Sequence, residues 1–491
     1  MIPPLRPRVT LLSDALVASI IDESFDVLAS VGVFIENEEA LQLLVRHGAT
    51  LLRDSRRACL PRDLVERCLA TTPPAILIFD ISGKRSYTIG SDEVHFNPGS
   101  AALRIFDQST RTEREPVTGD LIAYCRLVEQ LNNFHFQSTG LISSDVPREM
   151  ADSYRLYLGL RFCSKPIVTG TFRVEGFRPM AEMLAAVRGG SAALRERPLA
   201  IFDACPSPPL KWSNLTAQSV IDCARAGIPS EFVAMPLTGA TSPVTLTGAL
   251  VQHAAENLAG LVIAQLASPG APVIFGGSPS SFDLRTGHPP MGAIETMMID
   301  VAYAQIGKRL QLPTHAYMGL SDAKSIDVQA GIESGMGTLL AALAGINVVS
   351  GGGMLDFEST QSLEKLMIDD DICGMAYRLM KGIQQRDDPM ALALLSELSS
   401  GMEFLTHPHT LKWYRQEQFY PRVTDRGTYG QWVEEGKPSL TDRASRQVDA
   451  FLARETGPVL AVDLQSELEQ IMLTHARTCG LSALPGGDVR A

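Results

Sequence analysis

From residue 95 onward the sequence repeats one pattern eight times, a short apolar, β-prone run followed by a stretch with helical spacing. The runs are "HFNPGSAAL" (95 to 103), "FHFQSTGLI" (134 to 142), "KPIVTGTF" (165 to 172), "PLAIFDACP" (198 to 206), "EFVAMPLTGA" (231 to 240), "APVIFGGSPS" (271 to 280), "LPTHAYMGL" (312 to 320) and "INVVSGGGML" (346 to 355). Strands that alternate with helices pair in parallel through right-handed crossovers, and eight such units close into a barrel without a free edge. The expected fold is therefore α/β, a (β/α)8 TIM barrel, with an open doubly wound sheet as the structural alternative. Pro166, Pro198, Pro272 and Pro313 open strands, where a missing N–H is tolerated.

Two appendages flank this repeat. Ser13 precedes an apolar stripe at helical spacing that stops at Gly32, and "AILIFDISGKRSYTIG" reads as two short strands around a Ser-Gly turn, so residues 1–94 are expected to form an N-terminal helical and hairpin cap. The barrel is expected over 95–400. After it, "HPHTLKWYRQEQFYPRVTDRG" has no clear period, and a closing helix near 441 to 453 makes residues 401–491 a C-terminal helical arm, packed on the barrel or on a second copy in a homo-oligomer.

Composition removes several function classes. The 491 residues carry a formal net charge of -12 and no run of basic residues, which leaves no field to attract nucleic acid or an anionic membrane surface. No signal-peptide-like start and no apolar stretch of about 18 residues occurs, so a cytoplasmic location is expected. The eight cysteines form no Cys-x-x-Cys pair, and the strand ends hold no histidine cluster, so no metal site is expected.

In a parallel barrel the chemistry lies at the C-terminal strand ends. Those ends are rich in aromatic, methionine and hydroxyl side chains and carry few formal charges, which suits a quaternary ammonium held against ring faces. Gly351-Gly352-Gly353 after the eighth run could let a phosphate approach the backbone, although no Arg or Lys follows before Lys365. "HPH" at 407 to 409 reads as part of a structural arm, and Asp369-Asp370-Asp371 as a solvated helix face.

The stretches "ATSPVTLTGALVQHAAENLAGLVIAQLASPGAPVIFGG", "FDLRTG" and "GLSDAKSIDVQAGIESGMGTLLAALAGINVVSGGGMLDFESTQSLEKLMIDDDICGM" resemble the trimethylamine methyltransferase family, the corrinoid-dependent methylamine methyltransferases. The likeness runs from "LASVGVFIENEEALQLL" to "HPHTLKWYR" and "DRGTYGQW" and so covers nearly the whole chain. It implies a barrel whose cavity opens toward a separate corrinoid protein. The family's archetype carries pyrrolysine immediately before a Ser-Asp-Ala-Lys motif, whereas Leu320 precedes Ser321 to Lys324 here.

That departure points to the branch resembling glycine betaine methyltransferase. A quaternary amine already has a neutral tertiary amine as leaving group and needs no activation, so the resemblance implies attack of Co(I) on an N-methyl carbon. Corrinoid (cobalamin) would be supplied by the partner protein rather than bound tightly, and no catalytic acid or base is assigned. Expected substrate-binding residues are the walls Phe172, Phe202, Met235, Phe275 and Tyr317, the polar anchors Asn97, Asp203, His315 and Gln329, and Leu320 at the position of departure. Arg173 or Arg285 would hold a substrate carboxylate, and Asp322 and Glu333 would orient loops. A lyase or hydrolase acting on a phosphorylated or polar molecule, and a non-catalytic quaternary amine sensor, are the alternatives.

Overall fold

The computed structural model describes residues 4–52, 55–454 and 457–485. Eight parallel strands form one sheet: β1 (His95–Pro98), β2 (Gln137–Ser138), β3 (Ile167–Thr169), β4 (Ala200–Ala204), β5 (Ser230–Phe232), β6 (Val273–Gly277), β7 (Thr314–Tyr317) and β8 (Val348–Gly352). Their order is β1-β8-β7-β6-β5-β4-β3-β2. The ring closes where Phe96 bridges Phe134 in parallel and His135 N donates to Phe96 O at 3.0 Å. The alternative of an open sheet is thereby excluded.

Each strand is followed by its helix: α1 (Thr118–Gln130), α2 (Ala151–Phe162), α3 (Phe177–Arg188), α4 (Asn214–Ala226), α5 (Leu246–Ala267), α6 (Ile294–Arg309), α7 (Val328–Ala344) and α8 (Leu363–Met380). Local chemistry explains the limits. Asp327 caps α7 by accepting from Ala330 N, and the helix stops at Gly345, whose φ of 71° lies in the left-handed region. Helix α5 is apolar on most sides because it is wedged between the barrel and the N-terminal helix Asp14–Ser30.

The hairpin Ala75–Phe79 and Ser86–Gly90 closes the lower end of the barrel. Its Ile76, Ile78 and Ile89 form one buried cluster with Phe136, Val168, Ile201, Ile274 and Val348 of the barrel interior. At the other terminus, helices Leu440–Leu452 and Val462–Thr478 lay Val448, Phe451, Leu468 and Met472 onto α1, α8, α2 and α3.

The acidic triplet of α8 corrects the expectation of a solvated face, since all three side chains are buried. Asp369 pairs with Lys365 at 2.6 Å and accepts from Gly353 N at 2.7 Å. Asp370 accepts from Asn133 N, and Asp371 from the backbone of Arg422 and Val423. A buried carboxylate needs such donors, and here they tie the C-terminal arm and the glycine loop to the barrel.

Candidate active site

The C-terminal mouth of the barrel holds a cup of about 470 Å³. Phe172, Met235, Tyr317 and Phe357 supply its aromatic and thioether walls, and Ser100, Thr171 and Ser278 add hydroxyls. Asp203, Glu358 and Arg155 also line it, so the cup is not the nearly uncharged pocket expected from the strand ends. The correction has a simple origin: Arg155 comes from α2 and Glu358 from a loop, neither of which is a strand end.

Strand parity places a polar layer beneath the cup. Residues two apart share a face, so the interior positions that begin with Ile201 on β4 and Val348 on β8 continue upward as Asp203 and Ser350. Asn97 Nδ2 donates to Ser350 Oγ at 3.0 Å, and His315 Nε2 lies 3.3 Å from the same hydroxyl. Glu231 of β5, in register with Asp203, brings Oε1 to 3.1 Å from His315 Nε2, yet neither of its oxygens has a hydrogen bond in good geometry. Asn97 Oδ1, Asp203 Oδ1 and His315 Nδ1 are likewise buried without a partner among the described residues.

Burial sets the charges of this layer. It holds the His315 imidazole down to about 3, so the ring is neutral. It pushes Asp203 up to about 7, against a lowering contribution from Glu231, Arg155 and Tyr317. Glu231 and Glu358 rise well above the usual carboxyl range through burial first and the neighbouring Asp203 second.

The loop after β8 is held in an unusual form. Asp356, Phe357 and Glu358 have φ of 49°, 52° and 69°, a left-handed run without glycine that costs about 1 kcal/mol or more per residue. Lys324 braces this run: its Nζ lies 3.1 Å from Asp356 Oδ1 and 3.8 Å from the centre of the Phe357 ring. Asp356 N also donates to Ala323 O at 3.0 Å. Ser321 to Lys324 therefore buttress the loop that delivers Phe357 and Glu358 to the cup. Asp322 accepts from Met291 N and Gly292 N, and Glu333 accepts from Ser321 Oγ and Asp322 N.

The residues singled out in the sequence fall into five places. Phe172, Asp203, Met235 and Tyr317 line the cup, and Asn97 and His315 lie in the layer below it. Phe202 and Phe275 face outward instead, Phe202 against Phe177 of α3 and Phe275 against His253 of α5 and Tyr303 of α6. Both sit one residue out of phase with the interior positions Ile201 and Ile274, so they fill the helical layer and not the cavity. Leu320 is buried against the glycine loop, where a Cβ on Gly351 would come within 3.0 Å of its own Cβ. Gln329 donates to Glu333 and lines a separate, outer groove of about 910 Å³ that shares the Phe357 wall.

Arg285 lines that outer groove and is paired with Asp283, and Arg173 is paired with Glu175, so neither reaches the cup. Glu231, Arg155 and Glu358 were missed. Only Glu231 left a signal, as a carboxylate opening an otherwise apolar strand. The amide of Gly353, which a phosphate would have used, is taken by Asp369, and that removes the anchor of the phosphate alternative. Among the described residues no group of histidine, cysteine and carboxylate side chains is arranged to hold a metal ion.

Comparison with known proteins supplies an independent finding. A family model described as trimethylamine methyltransferase matches residues 2–480. The chain is 28% identical to a trimethylamine methyltransferase of Desulfitobacterium hafniense, over 94% of this chain and 92% of that one. It is also 28% identical to a glycine betaine methyltransferase of Desulfitobacterium hafniense, over 97% of this chain and 99% of that one. The solved monomethylamine methyltransferase of Methanosarcina barkeri shares the fold with a TM-score of 0.52 at 10% identity, covering 91% of this chain and 90% of that chain.

Proposed function

We propose, for a chain that belongs to the trimethylamine methyltransferase family, that the methyl donor is a quaternary amine and the acceptor is the reduced cobalt of a separate corrinoid protein. Family membership makes the chain a methyltransferase; donor and acceptor are the inference. The observation that carries it is the cup itself, which combines the rings of Phe172, Tyr317 and Phe357 with the carboxyls of Asp203 and Glu358. Ring faces and carboxylates both attract a permanent cation, and neither needs that cation to donate a hydrogen bond.

In the proposed transfer the N–CH3 bond breaks, its electron pair stays on nitrogen, and a cobalt electron pair forms the new bond to carbon. Nitrogen leaves as a neutral tertiary amine, so no proton moves. The chain holds the cation, orients one methyl toward the open mouth and excludes water. Positive charge on nitrogen is lost during the transfer, so the ring faces and carboxyls that attracted the cation hold the neutral product less strongly. Leu320, at the position occupied by pyrrolysine in the archetype, supports a donor that needs no activation.

The test is anaerobic incubation of the whole chain with glycine betaine, choline, carnitine or tetramethylammonium, using a reduced corrinoid methyl-acceptor protein and, separately, free cob(I)alamin. Methylated cobalt should accumulate, read by its absorbance, with at least one of these donors. Transfer from trimethylamine alone, or from none of the compounds, would overturn the reading.

A further inference from the structure

Arg155 is only 2% exposed, yet its guanidinium borders the cup. Two of its donors are used structurally: Nε donates to Ala151 O at 3.2 Å and Nη1 to Thr139 O at 2.8 Å. Its Nη2 makes no hydrogen bond to another described residue, and among the described residues no carboxylate forms an ion pair with it. The Phe172 ring, 4.4 Å away, covers one face of the guanidinium and leaves the edge to the cavity. Lys365, as deeply buried, is by contrast neutralised by Asp369 at 2.6 Å. A buried cation held by two carbonyls and a ring face, with carboxylates near it but none paired with it, is a costly arrangement unless something anionic completes it.

Two carboxyls, Asp152 and Asp203, act on Arg155 through space, without forming an ion pair with it. Asp152 is itself committed, accepting from Phe172 N at 3.0 Å and Ser153 N at 2.7 Å. The cavity lining therefore combines an incompletely paired guanidinium with the Asp203 and Glu358 carboxyls and the Phe357 ring.

We propose that Arg155 is the residue that reads the donor's carboxylate, its guanidinium selecting an amino acid betaine over a choline-type or simple tetraalkylammonium cation. This rests on the reading above that the cup takes a quaternary amine. Arg155 is then the specificity residue: the planar fork accepts a carboxylate at two points, which a hydroxymethyl group cannot imitate.

Calorimetric titration of the whole chain, without any corrinoid, tests the assignment apart from methyl transfer. Glycine betaine and choline share a trimethylammonium head, and glycine betaine should bind about 100-fold more tightly. In Arg155→Gln that ratio should collapse to within about threefold, with Arg155→Lys between the two. Equal wild-type affinities, or a preserved ratio in a folded Arg155→Gln variant, would overturn the assignment. Should Arg155→Gln fail to fold, the wild type decides with 3,3-dimethylbutyrate, which keeps the carboxylate and lacks the cation. It should compete with glycine betaine, whereas 3,3-dimethylbutanol should not, and equal behaviour of the two sinks the proposal. Methyl transfer from choline without any carboxylate preference would remove the Arg155 assignment and leave the methyltransferase reading standing.

Discussion

The lower and upper halves of the barrel interior are built from the same strands and differ in almost every other respect. Below, the apolar side chains of Phe136, Val168, Ile201, Ile274 and Val348 pack against the N-terminal hairpin, and the imidazoles at their edge, His95 and His135, are hydrogen-bonded to each other. Two residues higher on the same strands stand Ser138, Asp203 and Ser350, joined by Asn97, Glu231 and His315, several of whose polar atoms lack partners. The lower half is an apolar base whose packing keeps the fold rigid. The upper half accepts unsatisfied polar groups, which only a stable base can carry and which are the groups a ligand can recruit.

The contrast breaks first at the base. Phe136→Ala should cost about 3 to 5 kcal/mol of stability, because the hairpin cannot collapse into the space left behind. Chemical denaturation measures it, and a loss below about 1 kcal/mol would mean that the base is not the rigid half. Next in size, Asp203→Asn should weaken binding of a quaternary amine about 100-fold with little change in melting temperature, as expected when a cation loses a buried carboxylate partner. Titration calorimetry and thermal melts together separate the two effects.

A pH series sharpens the same comparison. Burial raises Asp203 to about 7, so below that pH a cation must displace a proton from it. Affinity for tetramethylammonium should therefore rise between about pH 6 and 8, by at most about tenfold per unit, and level off above. Asp203→Asn should flatten the profile, and an unchanged slope in that variant would assign the proton elsewhere. The smallest expected effect is at the wall: Tyr317→Leu should raise KM for the cation by about 3- to 30-fold, the range of a ring-face contribution of about 0.5 to 2 kcal/mol. A change confined to kcat would place that ring in a different role.

Part of this polar layer was legible in the sequence, with Asn97, Asp203 and His315 named from their strand ends, but Glu231, Arg155 and Glu358 were not, while most of the scaffold was. The helical stretches that follow the third and fourth apolar runs are α3, Phe177–Arg188, and α4, Asn214–Ala226. Helical periodicity and capping residues are local signals and survive without tertiary information. Orientation within a strand is not local in the same way. Phe202 and Asp203 are neighbours in one apolar run, and only the position of the barrel axis decides that the carboxylate goes inward and the ring outward. The same holds for Asp369 to Asp371, which look like a solvated face until the C-terminal arm and the glycine loop cover them.

The order of apolar runs, caps and turns in the chain determined an eightfold barrel with appendages at both ends, because each unit is set by contacts between near neighbours. Tertiary structure decided which charged groups join the walls of the cup and how they meet. Arg155 arrives from the second helix, Glu358 from a left-handed loop braced by Lys324, and Asp203 from the fourth strand. Groups more than 150 residues apart meet there through barrel closure, and electrostatic character depends on distance and burial, which chain order does not encode.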